Sequence, residues 1–229
     1  MYKVFKPDVK NALVIGGGAY SIPKAILSDI PEATVDVSEI EPSLYQLAQK
    51  YFNLTNNERL NNYTIDGRRL LHDIEKQYDL IFSDVYYSLY SIPVHFTTKE
   101  FFQIAKDKLG SEGIFVANLI DDLSLSNHSF IKSEIKTFKT VFPNSYYFAV
   151  DSPDKIGTQN IIFVGYNSDK LIDFNDQKIT SDDNPIINSL GKKQINQSGI
   201  DFSKYTILTD NYAPVEFLMS QSIQKSFSK

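Results

Sequence analysis

The residues of this chain best suited to chemistry are one glycine run and a series of carboxylates that return at intervals along the first third of the sequence. Gly16-Gly17-Gly18-Ala19-Tyr20-Ser21 follows the short apolar run from Asn11. Glycines let a backbone turn tightly and approach a nucleotide with no side chain in the way. Ser21 replaces the third glycine of a G-x-G-x-x-G pattern, so a plain tight turn competes with the nucleotide reading. Glu39 stands 21 residues beyond Gly18, where an acid can accept hydrogen bonds from ribose hydroxyls. Glu41 follows in a place that a helix N-terminus would equally favour. Asp66-Gly67 puts an acid where an adenine amino group could donate to it, with a turn dipeptide as the plain alternative. Asp84 closes the run YDLIFSD. Alone it reads as a cap or turn aspartate, but together with the acids before it and the glycine loop it suits an S-adenosyl ligand.

These groups need a frame that gathers them. Asn11 to Gly16 reads as a buried parallel strand, because branched apolar residues run without alternation and end in glycine. A helix is expected over Tyr20 to Asp29, a strand over Ala33 to Val37, and a helix that Pro42 opens and Leu44, Leu47, Ala48 and Tyr51 line. Tyr63 to Ile65 reads as a brief strand, Leu70, Leu71 and Ile74 as a helix face, and Tyr78 to Ser83 as another buried strand. A helix from Thr97 to Leu109, a strand from Gly113 to Leu119 and a helix through Phe130 to Phe142 follow. SYYFAV and NIIFVGY, separated by DSPDKIGTQ, read as an antiparallel hairpin at the sheet edge. The fold class is therefore α/β, a doubly wound, mostly parallel sheet of seven strands with right-handed crossovers. In such a sheet, ligands sit at the C-terminal ends of the strands, where all the residues named above fall.

Residues 1–229 read as one domain: a core over 11–166, a polar, partly mobile surface excursion over 167–206, and a return segment over 207–220 with a frayed tail behind it. The net charge of -5 and pI near 5.2 disfavour a partner bound by phosphate neutralisation, so no nucleic acid is expected, and leave room for a cation. With no cysteine, thiolate chemistry and disulfides are excluded. No stretch is long and apolar enough for a membrane span or an export signal, so the chain is expected to be cytoplasmic. His72, His95 and His128 form no ligand spacing, and no metal is expected. His95 reads as a structural or packing histidine, with a pocket role as the alternative, ahead of a capping box between Thr97 and Glu100.

VIGGGAYSIPKAI, VDVSEIEPSLYQLAQKYF, TIDGRRLL and YDLIFSDVYYS, in this order and spacing, resemble the spermidine synthase family of aminopropyltransferases. IPVHFTTKEFFQIAKDKLGSEGIFVANLI and LTDNYAPVE are similar above all to the synthase-like domains that some bacteria fuse behind a membrane transporter. The resemblance implies the S-adenosylmethionine-dependent methyltransferase (Rossmann-like) fold and transfer of the aminopropyl group of decarboxylated S-adenosylmethionine to a di- or polyamine, putrescine foremost, with release of methylthioadenosine. It implies that Gly16, Gly17, Gly18 and Gly67 line the adenosyl site, that Glu39 holds the ribose and Asp66 the adenine, and that Asp84 is the base. The donor, decarboxylated or ordinary S-adenosylmethionine, is a co-substrate, and no tightly bound cofactor is expected.

Two departures qualify the resemblance. Val85, Tyr86 and Tyr87 follow Asp84 where the family motif carries a second aspartate. Tyr86 and Tyr87 are then expected to meet an ammonium through their rings or to pack as core aromatics, with Asp210 and Tyr212 as further walls of the amine site. Only ten residues precede the first strand, so the family's N-terminal β domain is expected to be absent, which leaves a homodimer open rather than implied. A methyltransferase on the same fold and a non-catalytic adenosyl-ligand-binding module are the competing readings.

Overall fold

The computed structural model describes residues 1–86 and 91–227. Its strands are β1 (Asn11–Ile15), β2 (Thr34–Ser38), β3 (Leu60–Tyr63), β4 (Tyr78–Ser83), β5 (Leu109–Asp121), β6 (Ser145–Ala149) and β7 (Gln159–Tyr166). They form one seven-stranded sheet in the order β3-β2-β1-β4-β5-β7-β6. The first five strands are parallel, and β7 runs antiparallel to both β5 and β6, so the hairpin closes one edge. The helices are α1 (Tyr2–Phe5), α2 (Ser21–Asp29), α3 (Pro42–Tyr51), α4 (Gly67–Asp73), α5 (Lys99–Asp107), α6 (Phe130–Val141), α7 (Gln177–Thr180), α8 (Pro185–Asn188), α9 (Leu190–Lys193) and α10 (Val215–Phe227).

Both faces of the sheet are covered, which is why its central strands are apolar at every position rather than at alternate ones. In β1, Leu13 and Ile15 enter a core shared with α4, α5, α6 and α10, while Ala12 and Val14 enter a second core with α1, α2 and α3. Phe101, Phe102, Phe115, Phe138 and Phe142 stack edge-on or face-on in the first core, all buried. Each such ring contributes on the order of 1.5–3 kcal/mol through area removed from water. The chain leaves β1 toward β2 on one side and returns to β4 on the other. That reversal opens the crevice between the ends of β1 and β4 where ligands of this fold class bind. Asp36 of β2 is buried and accepts from the Tyr78 hydroxyl at 2.8 Å, Lys76 Nζ at 3.0 Å and Asn61 Nδ2 at 2.8 Å. One carboxylate thereby ties β2, β3 and the entry of β4 together.

Several expected boundaries move. The third strand is Leu60–Tyr63, not 63–65, because Tyr63 pairs with Ser38 and the chain then bends to bring Asp66 over the next helix. The fifth strand begins at Leu109, pairing with Tyr78 ahead of a register shift. α5 begins at Lys99, capped by the Thr98 hydroxyl, which accepts the Phe101 N–H at 3.3 Å. The expected capping box is not formed: Thr97 donates to the Val94 carbonyl and Glu100 receives the Asp210 N–H. The polar excursion carries α7, α8 and α9 and is anchored by buried Phe174, Ile179, Leu190 and Ile195. Its apolar residues are too far apart to show a period, so tertiary contacts alone define it. The tail is not frayed through 227 but forms α10, which buries Leu218 and Met219 and whose Ser222 hydroxyl donates to Asp121. Among the described residues no helix is long and apolar enough to cross a membrane.

Glu134 of α6 is fully buried, and neither carboxyl oxygen has a hydrogen-bond partner among the described residues. Burial alone pushes its pKa well above the ordinary 4.5. Its proton is therefore held more tightly folded than unfolded, so stability falls as pH rises above 4.5 toward the elevated value. Glu134→Leu is expected to stabilise the protein by about 1–3 kcal/mol at pH 7, the usual cost of an unsatisfied buried group. Urea denaturation at pH 4 and pH 7 checks this, and a gain that does not grow with pH would show the carboxyl to be partnered.

Candidate functional site

The crevice between β1 and β4 is a cavity of about 590 Å³, a size usual for small-ligand sites. Gly16, Gly17 and Gly18 form one wall. Gly16 has φ +91°, and a Cβ there would lie 2.4 Å from the Asp84 carbonyl oxygen, so only glycine lets the ends of β1 and β4 come this close. Glu39, buried at the end of β2, receives the N–H of Gly17 at 2.8 Å and of Gly18 at 3.1 Å on Oε2. The Glu41 N–H donates to its Oε1 at 2.9 Å. A carboxylate offers about four acceptor positions, so roughly one remains on Glu39 for a ligand hydroxyl. Glu41 caps α3, receiving the Ser43 N–H at 3.1 Å.

Asp66 caps α4 by receiving the Arg69 N–H on Oδ1 at 3.0 Å, while its Oδ2 lies 2.9 Å from His95 Nε2. Because a carboxylate only accepts, the His95 ring donates there. Gly67 follows because a Cβ would strike Ile15 Cγ2 at 2.2 Å. Ile65, Pro93 and Phe96 supply apolar walls beside Asp66.

At the other end, Asp84 Oδ1 receives Asn118 Nδ2 at 3.1 Å. Its side chain is open to the cleft, yet the surrounding walls withhold enough bulk water to raise its pKa above the ordinary 3.8, with the Asn118 amide pulling the other way. Tyr86 lines the same end, and its hydroxyl oxygen receives the Ile120 N–H at 2.6 Å. Burial raises the Tyr86 phenol first, the Ile120 N–H lowers it, and the Asp84, Glu134 and Asp121 carboxylates raise it further. Four acids, Glu39, Glu41, Asp66 and Asp84, line the cavity, and no lysine or arginine does so among the described residues.

The family model for the spermine/spermidine synthase domain matches residues 1–176. The chain belongs to the spermine/spermidine synthase family. A polyamine aminopropyltransferase of Vibrio vulnificus is 32% identical over 162 residues, covering 69% of this chain and 52% of that protein. A human eEF1A lysine and N-terminal methyltransferase is 29% identical over 146 residues, covering 58% of this chain and 20% of that protein. The chain thus spans about half the length of the first relative and a fifth of the second. A probable spermidine synthase of Corynebacterium glutamicum superposes with a TM-score of 0.73 at 22% identity, covering 90% of this chain and 74% of that one, which shows the shared fold.

Within this family member, the cavity brings together Gly16, Gly17, Gly18, Glu39, Asp66, Gly67, Asp84 and Tyr86 of the residues singled out from sequence. Tyr87 lies outside the described residues. Asp210 and Tyr212 do not line the cavity: both Asp210 oxygens are held by Arg68, and Tyr212 is exposed. Asn118 and His95 reach site carboxylates without having been singled out as site residues. A lone amide near the end of the apolar run GIFVANLI was a usable signal for Asn118. None existed for His95, since no local spacing joins residues 29 apart.

Gly16→Ala is expected to cost about 3 kcal/mol or more, because strain at positive φ adds to a backbone overlap that no rotamer relieves. Gly18→Ala, at φ +50° with open space around the new Cβ, should lose only about 1–2 kcal/mol. Equal losses in chemical denaturation would show that the approach of Gly16 to Asp84 does not fix the loop.

Proposed function

We propose that this protein transfers the aminopropyl group of decarboxylated S-adenosylmethionine to a di- or polyamine, with putrescine the first acceptor to test. The supporting observation is the charge of the cleft. Its described lining carries four carboxylates and no cation, and the Gly17 and Gly18 N–H groups that could receive a donor carboxylate already donate to Glu39. Ordinary S-adenosylmethionine brings a carboxylate that finds no partner there, whereas the decarboxylated donor brings only its sulfonium and ammonium charges. Glu39 serves the ribose and Asp66 the adenine amino group, with Gly16 to Gly18 and Gly67 giving the nucleoside close backbone approach.

Asp84 is the general base. The acceptor arrives as an ammonium and must lose a proton before its nitrogen lone pair can attack. A carboxylate raised by desolvation is a better base than a free one, and it offsets the repulsion between two cationic reactants. The nitrogen then forms a bond to the methylene next to sulfur, the carbon–sulfur bond breaks, and its electron pair stays on sulfur in neutral methylthioadenosine. The proton leaves Asp84 for solvent. Positioning supplies the rest of the acceleration. Tyr86, with its hydroxyl anchored on Ile120, offers a ring face to the amine chain.

Methyl transfer from ordinary S-adenosylmethionine to an amine is the second reading, favoured by the human methyltransferase among the sequence relatives. Methylthioadenosine release with decarboxylated donor across a panel of di- and polyamines is the deciding measurement, with ordinary S-adenosylmethionine as the comparison. Amine-dependent release supports aminopropyl transfer. Methylation with the ordinary donor alone would replace it, and ligand binding without turnover would leave a binding module. Asp84→Asn should lower kcat by about 10²–10⁴ with nucleoside affinity nearly unchanged. The wild-type rate should climb with pH through the raised Asp84 value, above the ordinary 3.8. Ionising Asp84 costs stability that accumulates as pH rises from 3.8 to the raised value, so the Asn variant should gain relative stability across that range and keep the gain above it. An unchanged rate removes Asp84 as the base.

A further inference from the structure

The return segment reaches the cleft indirectly, through one guanidinium. Arg68, the second residue of α4, donates from Nη1 to Asp210 Oδ1 at 2.7 Å and from Nη2 to Asp210 Oδ2 at 2.5 Å. The same Nη1 donates to the His95 carbonyl at 3.2 Å. Asp210 is held from two further sides: the Thr98 hydroxyl donates to its Oδ1 at 2.7 Å, and its own N–H donates to Glu100 Oε2 at 3.0 Å. The Lys99 N–H donates to the Leu208 carbonyl at 2.9 Å, and the Leu208 N–H to Thr137 Oγ1 at 2.8 Å. The segment is thus pinned to α5 and α6 before it meets Arg68. The ion pair is partly shielded on the Arg68 side, and Arg68 holds the Asp210 carboxyl below its ordinary range. A two-toothed pair of this kind fixes orientation as well as distance.

What the pair orients is His95. With its carbonyl held by Arg68 and its ring packed on Phe96 at 4.4 Å between centroids, His95 presents Nε2 to Asp66 Oδ2. Without that contact, the partner left to Asp66 among the described residues is the Arg69 N–H on its other oxygen, which leaves Oδ2 able to turn toward solvent. We propose that Arg68 and Asp210 are positioning residues which, through His95, fix the Asp66 carboxylate and make the cleft select a 6-amino purine over a 6-oxo purine. This rests on the adenosyl reading of the cleft. A fixed carboxylate accepts from a 6-amino group and repels a 6-oxo group, whereas a loose, solvated one does neither well.

The test is the affinity of methylthioadenosine against methylthioinosine, its 6-oxo counterpart, measured by calorimetry. The wild type should favour the amino nucleoside by about 10- to 100-fold, the range for one hydrogen-bonded partner in a closed site. Arg68→Lys, Asp210→Asn and His95→Gln should each lower that ratio by about fivefold or more, chiefly by weakening the amino nucleoside. Asp210→Glu, which keeps the charge, should retain more of the ratio than Asp210→Asn. His95→Gln touches no part of the ion pair, so it still reports if the Arg68 variant does not fold. Equal weakening of both nucleosides with the ratio intact would overturn the proposal and reduce the pair to a structural brace. A wild type that binds neither nucleoside, or binds both alike, would overturn the adenosyl reading and this inference with it.

Discussion

Glu39 is the contact on which the shape of the cleft depends. It sits at the end of β2 with its carboxylate turned back toward β1, where it receives the N–H groups of Gly17 and Gly18, and it reaches forward to the Glu41 N–H at the mouth of α3. A loop at positive φ leaves its N–H groups pointing inward with no strand to receive them. One side chain satisfies two of them and fixes the loop against the next strand. Gly16 completes the arrangement from the other side, since only a residue without Cβ lets the Asp84 backbone pass at that distance. The glycine loop and Asp84 are therefore held as one unit, although 68 residues separate Gly16 from Asp84.

What could be read from the sequence follows from how local each constraint is. The central strands were legible because both their faces are buried and their apolar runs are continuous. The glycine loop and the acids after each strand were legible because parallel sheets place ligands at strand ends. The third strand was displaced because LNNY is polar at an edge, where pairing with β2 rather than burial defines it. The excursion over 167–206 looked unstructured because Phe174, Ile179, Leu190 and Ile195 are isolated anchors at irregular intervals, not a face with a period. It packs away from the cavity and contributes none of its described lining. Asp210 was legible as important and not as what it does: an acid in LTDNYAPVE suggests a ligand, and only the fold brings Arg68 to it across 142 residues.

The electrostatics of the cleft have one sign, and this constrains substrates more than any single residue. Glu39, Glu41, Asp66 and Asp84 are held near one another without a described cation among them. Three of the four receive backbone N–H groups, which disperse their charge and make the clustering tolerable. Among the described residues Asp84 receives the Asn118 amide, and burial raises its carboxyl. On the proposed chemistry, the contrast would separate binding acids from a reacting acid. A carboxylate satisfied by fixed N–H groups is a poor base, while one left with a single neutral donor in a partly dried cleft keeps its affinity for a proton.

The second acid of the family motif is missing beside Asp84, and the space next to it shows what stands there instead. Val85 and Tyr86 line the cleft, and Tyr86 is locked by the Ile120 N–H so that its ring stays beside Asp84. Behind that ring lie Asp121 and Glu134, both fully buried and both with raised carboxyls. Asp121 is held by the Ile131 N–H and Ser222, while Glu134 has no hydrogen-bond partner among the described residues. Burial favours the neutral form of both acids, so they place little charge behind the aromatic wall. On the proposed chemistry, an ammonium at that wall is attracted by the π face of Tyr86 rather than by a second aspartate. Such a grip is weaker and less directional than an ion pair between two opposite charges.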